Sequence, residues 1–249
     1  MYFQRFPFVN YNFGDNEANT IFPNISAYID IIDQIKNQVA FYEKYTILDG
    51  DRPDTVSQKL YDTPDYHWTF FFMNDGLRES GWPLAEREMR ALVKKRYPHR
   101  TVTTQSNIAS NFLPGTFVTG KTSGTTGRVI ERNLDLGQIV IASDKNEAGL
   151  NNNFGQTELI VAGTTAEEQA INVANLISES EQYNAPLYYK NTSGVIVDID
   201  PYNQTTSGLV PTTIMEDNIN FNDNLKEIIV IKPSKVVSII SEYFKLLKV

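Results

Sequence analysis

The segment Gly115–Thr122 has the letters of a phosphate-binding P-loop, with a lysine and a threonine after its second glycine. In that motif, backbone N–H groups and a helix dipole face the phosphates, so a buried strand precedes it and a helix follows. Neither Asn111–Pro114 before it nor Ser123–Gly127 after it favours such elements. Asp198 follows a short apolar run and could serve as a magnesium ligand, but an apolar run followed by an aspartate is a common pattern. The sequence therefore favours glycine–threonine hairpin turns here over a nucleotide site.

The overlapping run Thr122–Gly127 resembles the phosphate loop of adenylate-forming enzymes. In that family a Pro-Lys-Gly sequence follows, and this chain has Val129-Ile130-Glu131 instead. The chain is also too short for that fold. This resemblance therefore predicts no activity.

Paired carboxylates could hydrolyse a glycan, if two of them flanked a cleft about 5–10 Å apart with one in an apolar pocket. The acidic residues have turn, capping or solvated-face roles instead; they are Asp49, Asp51, Asp54, Glu79, Glu86 and Glu88. His67 lies beside Trp68 with no nucleophile near it, so we predict that it packs and does not act as a base. We expect the protein not to be an enzyme.

Composition restricts the partners. The net charge of −8 opposes a nucleic-acid partner, which needs a clustered basic field. The chain has no cysteine and only two histidines, so neither thiolate nor His-rich metal sites are expected. It has no apolar signal segment and no apolar run of about 18 residues. We expect a soluble protein without cofactor, membrane anchor or small-molecule substrate.

A short strand at Tyr45–Leu48, a turn at Asp49–Asp51 and two short amphipathic helices follow one another. Asp51 can cap the first helix, with Pro53 in its opening turn, and Thr63 or Asp65 can cap the second. Apolar side chains recur at helical spacing along both, at Val56, Leu60, Tyr61, Trp68, Phe71, Phe72 and Met73. This arrangement resembles a LysM domain, a module best known for binding peptidoglycan and chitin.

A longer stretch resembles the LysM-bearing baseplate wedge protein of T4-like contractile-tailed phages. The stretch comprises the sequence from Gly50 to Asp75, then Gly81-Trp82-Pro83-Leu84, then a helix ending near Tyr97. Residues 21–47 and 222–247 fit that family too. The resemblance implies a structural subunit of the virion tail baseplate, assembled in the host cytoplasm. It further implies several copies in a sixfold assembly, contacts with other wedge proteins, and no catalysis.

The predicted fold class is α+β, in four segments. Residues 1–44 form an arm and a helix, and residues 45–107 form the LysM-like βααβ module with an extra helix. Residues 108–165 hold short β-branched runs between glycines, typical of an inserted small β-barrel or sandwich. Residues 166–249 begin with a helix over Ala166–Ser178 and end with a strand and an apolar helix.

Several aromatic side chains are predicted to contact partner subunits, because large apolar groups left in water favour association. They are Phe3, Phe6, Phe8, Tyr11, Trp82, Tyr202, Tyr243 and Phe244. An N-terminal arm folded back on its own domain would be the alternative. Two other functions stay open at this point: a glycan-binding LysM module and, less favoured, a nucleotide-dependent enzyme using Gly115–Thr122.

Overall fold

The computed structural model describes residues 7–12, 14, 19–24, 39–142, 153–202 and 206–246. The chain divides into two compact units. The first unit combines Met1–Glu86 with Phe221–Val249, and the second is Arg87–Asn220. The expected mixture of helices and sheets is confirmed, and so is the small β-barrel.

The strands and helices of the described residues are numbered here in chain order. The strands are β1 (Phe8–Tyr11), β2 (Thr20–Pro23), β3 (Tyr42–Thr46), β4 (Arg100–Thr104), β5 (Phe117–Gly120), β6 (Thr126–Asn133), β7 (Gln138–Ile141), β8 (Leu159–Ala162), β9 (Val173–Glu181), β10 (Pro186–Lys190), β11 (Ile196–Val197), β12 (Val210–Thr213) and β13 (Glu227–Ile231). The helices are α1 (Pro53–Tyr61), α2 (Trp68–Met73), α3 (Asp75–Ser80), α4 (Glu86–Arg96), α5 (Ala166–Ile171), α6 (Ile214–Asn224) and α7 (Pro233–Leu246).

The core of the first unit lies on a two-stranded antiparallel sheet made from distant parts of the chain. β3 pairs with β13, from Thr46 opposite Glu227 to Tyr42 opposite Ile231. Apolar residues of α1, α2, α3 and α7 share one buried cluster with this sheet. β3 begins at Tyr42, before the predicted Tyr45, because pairing with β13 extends the strand. The helix predicted within residues 1–44 lies largely outside the described residues, and from Tyr42 onward the chain is the strand β3 instead.

Two side chains join the helices to β13. The Tyr61 hydroxyl donates to the Ile231 carbonyl at 2.9 Å. Asn74, between α2 and α3, donates from Nδ2 to the Ile229 carbonyl at 2.8 Å and accepts from the Ile229 N–H at 2.9 Å. Its amide therefore pairs with the edge of β13 as a neighbouring strand would.

The second unit contains a closed antiparallel barrel in the order β4-β7-β6-β5-β8-β9, with β9 returning to β4. Its interior is filled by apolar side chains, among them Val102, Val118, Ile139 and Ile160. The predicted range 108–165 is too narrow, because β4 and β9 close the barrel and lie outside it.

The predicted helix over Ala166–Ser178 is wrong beyond its first two turns. Thr165 caps α5 in a capping box with Glu168, as expected of a threonine there. The chain then becomes β9, which pairs with both β8 and β4. Ladders on two sides outweigh the local helical pattern. Ala174 and Leu176 point into the core, whereas Ile171 is exposed.

A small three-stranded sheet, β11-β10-β12, lies in the second unit outside the barrel. β12 was not predicted from the sequence. α6, which follows it, was missed because its run of Asn and Asp residues is a poor helix former. Thr213 and Glu216 cap that helix through reciprocal bonds, Glu216 N–H to Thr213 Oγ1 at 3.2 Å and Thr213 N–H to Glu216 Oε2 at 2.8 Å.

β1 and β2 form an antiparallel hairpin, with Phe8 opposite Pro23 and Tyr11 opposite Thr20. All four residues of β1 are exposed. No described part of the chain covers either face of this ribbon deeply enough to bury β1. An isolated two-stranded hairpin is marginally stable at best in water.

Candidate functional site

The glycine–threonine turn after β5 binds an anion, and that anion belongs to the protein. The Glu158 carboxylate accepts hydrogen bonds from the Thr122 N–H at 3.0 Å, the Ser123 N–H at 2.9 Å and the Ser123 hydroxyl at 2.8 Å. The Gly155 N–H donates to the same carboxylate. We call Gly120–Thr125 the anion nest, since successive backbone amides face one anion.

The geometry of the nest explains both its glycine and its electrostatics. A Cβ at Gly120 would lie 2.6 Å from Glu158 Oε1 and 2.5 Å from Ser123 Oγ, so a side chain there would displace the carboxylate. Burial alone would raise the pKa of Glu158. The bonds from Ser123, Thr122 and Gly155 outweigh burial and hold that pKa below its ordinary value.

Because Glu158 occupies the anion nest, the segment that matches the P-loop motif is not free to bind a phosphate. The amides that would face a phosphate already face Glu158, which is only 5% exposed. β5 ends at Gly120 and β6 begins at Thr126, so the segment is a hairpin turn and no helix follows it. The prediction of a turn at this place is confirmed. Glu158 itself was missed, because nothing in the sequence links it to a turn so far away.

The Asp49–Asp51 turn, which follows β3 in the first unit, is also contacted by other residues of the same chain. The Trp82 indole N–H donates to the Asp51 carbonyl at 2.7 Å, and the Glu86 N–H donates to Asp49 Oδ1 at 2.9 Å. Lys59 pairs with Asp51 at 2.7 Å. These contacts place the segment from Trp82 to Glu86 against the Asp49–Asp51 turn.

The residues predicted to contact partners have different surroundings. Phe8 and Tyr11 are 69% and 53% exposed on β1, while Phe3 and Phe6 lie outside the described residues. Tyr202 is half-buried. Trp82 is half-buried and packs partly against the core of the first unit. Tyr243 and Phe244 need correction, because they are buried inside that unit.

The aromatic side chains of α7 are covered within the first unit. Tyr243 and Phe244 are 2% and 8% exposed. Trp68 packs on both, with ring centroids 5.6 and 5.8 Å away. The apolar face of α7 is therefore covered by α2 of the same chain. Trp82 is half-buried against Phe70, its ring centroid 5.9 Å from that of the phenylalanine.

Neither a metal centre nor a membrane span is found in the described part of the chain. No group of three or more His, Cys, Asp or Glu side chains could hold a metal ion there. None of the helices described is both long and apolar enough to cross a bilayer.

No protein-family model matches the chain, and no curated protein matches it.

Proposed function

We propose that this protein is a structural subunit of a phage tail baseplate wedge, which holds neighbouring wedge subunits together in a sixfold inner baseplate. It would be part of the virion tail, assembled in the host cytoplasm, and it would act through buried surface and not through catalysis. The first unit would be its LysM-like module, with α1 and α2 against the β3–β13 sheet supporting that description.

The observation that carries the proposal is the exposed hairpin of β1 and β2. Phe8 is 69% exposed, Tyr11 53% and Ile21 66%. Each would contribute roughly 1.5–3 kcal/mol if it became buried against a partner. A hairpin of this kind suits a protein whose neighbours complete its packing.

The glycan-binding alternative has less support. In the first unit, the Asp49–Asp51 turn, which is part of the resemblance to LysM modules, is contacted by Trp82 and by the Glu86 backbone. The nucleotide alternative is opposed by Glu158, which occupies the anion nest. Retention of the purified protein on peptidoglycan or chitin at physiological salt would revive the first alternative.

The proposal is tested with a variant that alters only the hairpin surface. Phe8→Ser combined with Ile21→Ser should leave the stability of the isolated protein within about 0.5 kcal/mol, since both residues are exposed. The variant should fail to enter tail baseplates, measured by immunolabelling and mass spectrometry of purified particles. Ile171→Ser is the matched control, because Ile171 is 74% exposed on the second unit.

Two outcomes would refute the proposal. The first is that the unmodified protein is missing from complete, infectious tails made in cells that express it. The second is that the hairpin variant enters baseplates as efficiently as the Ile171→Ser control.

A further inference from the structure

A cleft of about 450 Å³ lies between the turn joining β6 to β7 and the β11-β10-β12 sheet. This volume falls within the range of ligand sites, roughly 300–1,000 Å³. We call it the acidic cleft. Its lining residues are Asn133, Asp135, Leu136, Leu187, Tyr188, Ile196, Val197, Asp198 and Ile199.

The walls of the acidic cleft are mixed, with more polar than apolar surface, and part of the apolar surface faces water. Leu187 and Ile196 are both exposed large hydrophobic residues, and Val195 beside the cleft is exposed as well. Leu187 belongs to β10 and Ile196 to β11, so the apolar surface extends across two neighbouring strands. An apolar side chain or aliphatic stem entering the cleft would therefore remove apolar surface from water.

The charged side chains that line the cleft are all acidic. Asp135 on the turn and Asp198 after β11 are exposed carboxylates, and no cationic residue lines the cleft among the described residues. Lys190 lies nearby, its Nζ 5.3 Å from the centroid of the Tyr188 ring, but it is not a lining residue. The Tyr188 hydroxyl is already engaged, since it donates to Asp217 Oδ1 at 2.8 Å.

The backbone at the cleft offers a further contact. Among the described strands β11 pairs with β10 alone, so no described strand lies along its other edge. The Asn191 N–H donates to the Val195 carbonyl at 2.9 Å, which makes that pair hydrogen-bonded. Because antiparallel pairs alternate, the N–H and C=O of Ile196 point away from β10. An extended segment can bond to these groups while its side chains enter the cleft.

We propose that the acidic cleft docks an extended segment of a partner chain in which lysine or arginine alternates with apolar residues. The cationic heads would meet Asp135 and Asp198, and the aliphatic stems would cover Leu187 and Ile196. A second copy of this chain is a poorer occupant, because its net charge of −8 repels the same carboxylates. The identity of the partner as another wedge subunit rests on the proposed function; the chemistry of the docked segment does not.

The test uses the full-length protein and a capped peptide of alternating Val with Lys or Arg, seven residues long. Its counterpart has Glu at every cationic position. Isothermal titration calorimetry should show saturable binding of the basic peptide and none of the acidic one. Raising the salt from about 0.1 M to about 1 M should weaken binding, because the screening length falls from about 10 Å to about 3 Å.

Variants then locate the site. Asp135→Asn and Asp198→Asn should each weaken the basic peptide about two- to fivefold, as expected for an exposed ion pair. Glu167→Gln is the matched control, with the same loss of charge at an exposed position on α5 outside the cleft, and should change nothing. Unchanged thermal melting of each variant would exclude unfolding as the cause.

The proposal is overturned if both peptides bind equally, if the control weakens binding as much as the cleft variants, or if the protein binds only itself. It would also fail if the peptide did not bind at low salt. No wedge protein takes part in this test. Failure of the hairpin variant to affect baseplate entry would therefore refute the proposed function alone, and failure here would refute the cleft alone.

Discussion

Replacing Glu158 is expected to destabilise the second unit, because four donors converge on its carboxylate. A hydrogen bond to a charged group contributes about 1.5–3 kcal/mol, and backbone N–H groups left unsatisfied add to the loss. Thr122 and Ser123 are exposed, so water can replace part of what is lost and solvent screening reduces the charge effect. We expect Glu158→Ala to lower the free energy of unfolding by about 2–4 kcal/mol. Glu158→Gln should cost about half as much, since the amide keeps one acceptor oxygen.

The loss should depend on pH in a definite direction. The folded pKa of Glu158 is depressed below the unfolded value of about 4.3. Its stabilisation is therefore fully present above the unfolded pKa and is lost as the pH falls through the folded pKa. The difference in unfolding free energy between the unmodified protein and Glu158→Gln should be constant near pH 7. It should shrink as the pH falls below about 4.

Urea unfolding followed by circular dichroism measures these differences, and two glycines supply the controls. Gly120→Ala should cost nearly as much as Glu158→Ala, because its Cβ would displace the carboxylate, and less in the Glu158→Ala background. Gly124→Ala has open space at Cβ but a φ of +68°, so it should cost about 1–2 kcal/mol in either background. An unfolding free energy unchanged in Glu158→Ala, or a loss that grows as the pH falls, would refute the reasoning.

Three further substitutions have expected outcomes in chemical denaturation. Tyr61→Phe should lower the unfolding free energy of the first unit by about 1 kcal/mol, since it deletes the bond to the Ile231 carbonyl and leaves the ring packed. An unchanged value would mean that water replaces that bond. Asn74→Asp should lower the unfolding free energy of the first unit further, by about 2–3 kcal/mol, because the donor to the Ile229 carbonyl is lost and a carboxylate faces that carbonyl. The matched exchange is Asn218→Asp on α6, which also removes a donor to a backbone carbonyl. Gly137→Ala should cost at least 2 kcal/mol in the second unit, because Gly137 has a φ of +62° and its Cβ would lie 2.5 Å from the Thr104 carbonyl oxygen; a smaller loss would show that the turn relaxes.

Local patterns predicted the elements whose signals are local. α5 begins at Ala166 as predicted, and the closing strand β13 and helix α7 fall where their apolar residues indicate. The pattern failed where long-range pairing decides. Val173–Glu181 fits a helix as well as a strand when read alone, and only the two ladders of β9 settle it. The same limit explains Tyr243 and Phe244, since an apolar helix face does not reveal which surface covers it.

The domain boundaries could not be read from the sequence for a related reason. β3 finds its partner in β13, and the whole second unit lies between them in the chain. Such an insertion is tolerated because the entropy of closing a loop grows only slowly with its length. The join is also held locally, since the Asn222 side chain exchanges two hydrogen bonds with the Leu84 backbone, at 2.8 and 2.9 Å. The buried cluster of the first unit is therefore formed by its own residues, from both sides of the insertion. The exposed hairpin of β1 and β2 lies in the first unit and the acidic cleft in the second, so a substitution at either surface should leave the core of the other unit unchanged.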